Sequence, residues 1–150
     1  MKAGLPKGST SNYFRTRQSL LSGVVDGIVE REQPAVGGAF QPESAADLVD
    51  GLCGLFEHIA EANRTVTTAR LVLFLEASHN VALREALEPG RTAMEGLVVV
   101  ALARLGAREP RTAALMLAAC FEGLLLHRIA RHDPTDPRPV LELVVRAALG

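Results

Sequence analysis

Apolar residues recur along this chain in blocks at helical spacing, divided by glycine and proline. Pro6 suits a first helical position, and a short helix is predicted over Pro6–Tyr13. A second helix starts near Thr16, a good N-cap, and ends near Glu32. Its Leu20, Leu21, Val24, Val25, Ile28 and Val29 fall on one face. Pro34, Gly37, Gly38 and Pro42 then mark a loop. The third helix spans about Glu43 to Asn63, with Leu48, Val49, Leu52, Leu55, Phe56 and Ile59 as its stripe.

Thr65–His79 reads as a fourth helix, apolar nearly all round through Leu71–Leu75, so burial on several sides is expected. Asn80 breaks the pattern. A long helix follows to about Leu105, with Leu83, Leu87, Met94, Leu97, Val98, Ala101 and Leu102. Pro89–Gly90 lies inside it, and a kink or split is expected because proline lacks a donor and clashes with the preceding turn. Gly106 is a natural stop. The sixth helix begins near Pro110 and interleaves Leu115, Leu117, Phe121, Leu125 and Ile129 with small residues. After a proline-rich turn at 133–139, a last helix runs through Val140, Leu141, Val144 and Val145 to Leu149. No strand-like alternation, repeat or low-complexity tract occurs, and the fold class is all-α.

Composition supports this. The 150 residues are 48% hydrophobic but only 4% aromatic, without Trp, so a core must be built from Leu, Val and Ala. The net charge of −1 does not suit a general nucleic-acid binder. The charge is uneven, however: Lys2, Lys7, Arg15 and Arg17 all precede the first acid, Asp26. Only the N-terminal segment has an electrostatic reason to meet phosphate. Cys53 and Cys120 fit neither a redox nor a zinc pattern and read as reduced core thiols. No signal-peptide core and no membrane-spanning stretch are expected, which makes the cytoplasm the expected location.

The run Gly4-Leu5-Pro6-Lys7-Gly8-Ser9-Thr10-Ser11-Asn12-Tyr13-Phe14-Arg15-Thr16-Arg17-Gln18-Ser19-Leu20-Leu21 resembles the second half of the helix-turn-helix of TetR-type transcriptional regulators. Gly4 matches the turn, Lys7-Gly8 the start of the recognition helix and Phe14 its closing aromatic. Arg17 matches the basic residue ahead of the Leu20-Leu21 pair. Ser11 departs from the pattern, standing where an aromatic is common. The resemblance implies DNA contact by Lys7, Ser9, Thr10, Ser11, Asn12, Tyr13 and Arg17: short polar groups for base edges, basic ones for phosphate. It also implies a partial helix-turn-helix over residues 1–33, followed by a ligand-binding and dimerisation domain over 34–150.

Only Met1–Ala3 precede Gly4, whereas such a domain has two further helices before this point. Without them, residues 1–15 are expected to fray or dock in a non-native way, and this chain to bind operator DNA weakly or not at all. The resemblance also implies an effector pocket surrounded by the third to sixth helices. Phe56, Phe74, Met94 and Phe121 are candidates for its apolar lining, and Glu76 and Glu122 for polar contacts. Each acid has the alternative of pairing with Arg70, Arg91 or Arg128. The last two long helices are expected to form a four-helix homodimer interface, with Ala118, Ala119, Gly123, Leu126 and Val144 near the partner. His58, His79, His127 and His132 lack metal-ligand spacing, and no cofactor, metal site or catalytic constellation is expected. The function implied is a repressor whose dimer senses a small, largely apolar ligand and alters its grip on operator DNA. The alternatives are a dimeric ligand- or partner-binding protein without DNA-binding activity, or an α-helical enzyme or carrier using the same cavity.

Overall fold

The computed structural model describes residues 41–150, together with Gly23 and Gly27. Helix α1 spans Ala45–Glu57 and runs into a π turn, His58–Ala62; α2 is Arg64–Ala77, α3 Val81–Arg104, α4 Pro110–Ala130 and α5 Arg138–Leu149. No strand occurs among the described residues, and the chain is all-α. Gly23 and Gly27 are helical, as the predicted helix over Thr16–Glu32 requires.

Each boundary has a local cause. The Ser44 hydroxyl accepts the Asp47 N–H at 3.1 Å and opens α1. Asn80 does the same for α3, accepting the Leu83 N–H at 3.1 Å. Helix α3 closes with two C-terminal hydrogen bonds, Ala107 N–H to the Leu102 carbonyl (3.0 Å) and Gly106 N–H to the Ala103 carbonyl (3.1 Å). That turn needs Gly106 at φ +92°, the left-handed region that glycine enters without a Cβ penalty. Pro110 stands in the first turn of α4, where its missing N–H has no helical use. At α5 the Asp136 carboxylate accepts the Arg138 N–H at 3.0 Å.

Three expectations need correction. The third predicted helix is not α-helical to its end: it changes to a π turn at His58. There the Asn63 N–H bonds back to the His58 carbonyl at 3.1 Å, and the fully buried Thr67 hydroxyl donates to the Ile59 carbonyl at 2.7 Å. Of the kink or split expected at Pro89, the split does not occur, and α3 is one helix from Val81 to Arg104. Glu85 and Pro89 are both exposed, so water can take the carbonyl that proline leaves unpaired. Finally, α2 is not buried on several sides. Only Thr67, Leu73 and Ala77 are buried, while Val72 and Leu75 face outward, Leu75 at 73% exposure. Helix α2 packs on α3, the π turn and the margin of α4, and no described element covers its opposite face.

Helices α4 and α5 pack along each other, α3 lies against α4, and α1 lies against α5. The first turns of α4 and the end of α5 share one small cavity, which sets the two helices antiparallel. The core between α1, α3, α4 and α5 is made by Leu48, Leu52, Phe56, Leu102, Leu117, Leu125, Leu141 and Val145. Burying each large side chain contributes roughly 1.5–3 kcal/mol. A second, smaller cluster of Leu73, Ala77 and Leu83 joins α2 to α3. Helix α4 corrects the sequence reading in one further respect: its 21 residues are long and apolar enough, by length and composition, to cross a membrane. Here it lies in the bundle, with one side in the core and the other exposed.

Candidate functional site

The exposed side of α4 is mostly apolar. Leu115 is 68% exposed, and Met116, Ala118, Ala119 and Leu126 are also exposed. Glu122 interrupts this ridge. The neighbouring α5 adds Leu143 at 61% exposure, and Ala147. Met116 and Ala147 both line the cavity of about 270 Å³ at the seam between the two helices. The ridge arises because α4 buries only Ala113, Ala114, Leu117 and Leu125, a narrow stripe on a helix apolar nearly all round. Of the residues expected near a partner, Ala118, Ala119 and Leu126 stand out from the surface. Gly123 is half-buried, and Val144 is half-buried against the core. Sequence reasoning missed Leu115 and Leu143, whose outward direction follows only from which stripe the core takes.

The candidate ligand residues lie at different depths in the described body. Phe56 and Phe121 meet edge to face, with ring centroids 5.8 Å apart and planes at 84°. Phe56 is buried in the core; Phe121 and Met94 are half-buried against it. Phe74 is exposed on α2, and Glu76 is half-buried there. Glu122 is exposed on α4. None of these six lines the seam cavity or a second cavity among the described residues. The larger, about 520 Å³, is a groove between α1 and α5 floored by Val49, Val145 and Leu149. Arg138 crosses it, pairing with Asp50 at 2.7 Å and lying 3.9 Å from Glu142.

Two of the three arginines proposed as partners for the acids, Arg128 and Arg91, pair with other carboxylates. Arg128 pairs with Glu61 at 2.8 Å, and its guanidinium lies 5.2 Å from the Phe56 ring centroid. Arg91 pairs with Glu88 at 3.2 Å. That hydrogen bond raises the pKa of Arg91 further, with Glu95 and Glu122 adding smaller electrostatic contributions. Glu122 therefore lies within the field of α3 without a direct bond to Arg91. Both cysteines are free and half-buried, and burial pushes each thiol up, which disfavours the reactive thiolate. No group of three or more His, Cys, Asp or Glu among the described residues could hold a metal ion.

The residues expected to read DNA, Lys7, Ser9, Thr10, Ser11, Asn12, Tyr13 and Arg17, lie outside the described residues. What the described part presents is a helical body with a packed centre and an apolar ridge on two antiparallel helices. No curated protein and no solved structure matches the chain. A family profile does match, over residues 43–150: the tetracyclin repressor-like C-terminal domain. By that match, which covers well over half its length and has the all-helical architecture described above, the chain belongs to the TetR family of regulators.

Proposed function

We propose that this chain is the pairing and effector-sensing body of a transcriptional regulator, and that two copies join through the outer faces of α4 and α5. The observation that carries this reading is the apolar ridge of Leu115, Ala118, Ala119 and Leu126, continued by Leu143, on a domain of this family. An apolar ridge left in water is the usual mark of a protein contact. A four-helix arrangement would cover it and would bring Gly123 and Val144 near the seam. Residues 1–33 would carry the DNA-reading part, with Lys7, Ser9, Thr10, Ser11, Asn12, Tyr13 and Arg17 toward operator DNA, and residues 34–150 the body.

The effector is small and mostly apolar. Phe56, Met94 and Phe121 are the part of the expected lining that the packing supports, because they lie on the same core. Phe121 is the only one of the two rings with an exposed edge, so a ligand would enter by displacing it. Phe74, Glu76 and Glu122 would lie outside that entry point. The regulator acts as a repressor in the cytoplasm and is not catalytic in this reading.

Light scattering on the purified chain tests the pairing. A dimer at micromolar concentration is expected, and Leu115→Glu should make it a monomer with unchanged helix content. A wild-type monomer throughout that range overturns the reading. A thermal-shift screen of apolar small molecules tests effector binding, with stabilisation expected in the wild type and reduced by Phe121→Ala.

A further inference from the structure

Several polar contacts between elements gather at one corner, where the end of α4 meets the junction of α1 and α2. The last carbonyls of a helix have no partner within it. Two of those at the end of α4 are met by Arg64, the first residue of α2. Its Nη2 lies 3.4 Å from the Arg128 carbonyl and 3.3 Å from the Ile129 carbonyl. A guanidinium there also favours the negative end of the helix dipole. The same nitrogen lies 3.0 Å from His132 Nδ1, just past the helix. Arg128 answers in the other direction. It donates to Glu61 Oε1 in the π turn at 2.8 Å and to the Thr135 carbonyl in the α4–α5 loop at 2.7 Å.

We propose that Arg64 is a clasp coupling the first turns of α2 to the end of α4, so that pairing of α4 with a second copy is felt in α2. The proposal rests on the dimer reading given above and deepens it. The buried apolar residues that join α2 to α3, Leu73, Ala77 and Leu83, sit toward the far end of the helix, and near its start the half-buried Val66 is the apolar side chain that packs against them. The start is held by Thr67 on the Ile59 carbonyl and by Arg64 on α4. Of these, Arg64 is the direct hydrogen-bond tie to α4. Leu126, on the ridge where the second copy would sit, is two residues before Arg128. Ordering the end of α4 therefore fixes the carbonyls that Arg64 grips. Loss of the clasp leaves α2 folded but uncoupled.

Hydrogen exchange read by mass spectrometry on the whole chain tests this, along a dilution series that crosses from dimer to monomer. In the wild type, peptides covering residues 64–72 should exchange about fivefold more slowly in the dimer, the change that one net hydrogen bond makes to a local opening equilibrium. Arg64→Gln should keep the dimer and the helix content but lose that difference. Arg64→Lys, which keeps the charge and loses the fork, should lose most of it. The clasp is overturned if Arg64→Gln keeps the wild-type difference, or if the wild type shows none while light scattering reports a dimer. A chain that stays monomeric at every concentration overturns the pairing and the proposal together, a failure that light scattering tells apart from the first.

Discussion

The ring of Phe121 on α4 meets Phe56 on α1 edge-on, 84° between planes and 5.8 Å between centroids, with the Arg128 guanidinium lying 5.2 Å from the centre of the Phe56 ring. The two rings pin α1 to α4 at the middle of the core. Phe56→Ala should therefore cost about 3–5 kcal/mol of stability. Phe121→Ala should cost less, because Phe121 is only half-buried. Urea unfolding followed by circular dichroism measures both. Equal costs would show that the exposed edge of Phe121 is covered in solution.

Thr67 carries the one buried side-chain hydrogen bond that holds the π turn. Its hydroxyl donates to the Ile59 carbonyl at 2.7 Å, and the residue is fully buried. Thr67→Val keeps the shape and leaves that carbonyl unpaired, at a cost of about 1–3 kcal/mol. Thr67→Ser keeps the donor and should recover most of the hydrogen-bond contribution. The comparison of the two variants by chemical unfolding separates the hydrogen bond from packing.

Gly106 offers a clean test of backbone strain. A Cβ built at this position meets nothing within 4 Å, yet φ is +92°. Gly106→Ala should thus destabilise by about 1–2 kcal/mol through conformation alone, without a clash. A thermal melt that shows no loss would mean that the end of α3 unwinds at little cost.

Asp133 gives the loop between α4 and α5 a pH dependence. The hydroxyl and N–H of Thr135 both donate to its carboxylate, at 2.6 and 2.9 Å, and hold its pKa below the ordinary carboxylate value. A depressed folded-state pKa means that this contribution is complete above the unfolded value, near 4. It is lost as pH falls through the lower, folded value. The Asp133 resonance in a carbon-detected NMR titration should show the lowered pKa, and Thr135→Ala should move it back up.

Much of the fold was legible in the sequence because local chemistry and helical periodicity agreed. Ser44, Asn80, Gly106 and Pro110 act where their side chains or backbones suit them, and the stripe of Leu48, Val49, Leu52, Leu55 and Phe56 is the face that is buried. The site was much less legible. Phe56 and Phe74 have the same side chain on neighbouring helices, yet one is in the core and the other is on the surface. Residue type alone cannot separate them.

What the sequence by itself determined is therefore the number and approximate limits of the described α-helices, since these depend on interactions within a few residues. What only the tertiary structure decided is which face each helix buries when more than one is apolar. In α2 and α4 the pattern allowed several faces; packing chose Leu73 and Ala77 in one, Leu117 and Leu125 in the other, and left Leu75 and Leu115 outside. The π turn, the grip of Arg64 on the end of α4 and the exposed ridge all follow from that choice. It rests on contacts between residues far apart in the chain, and no local rule could supply it.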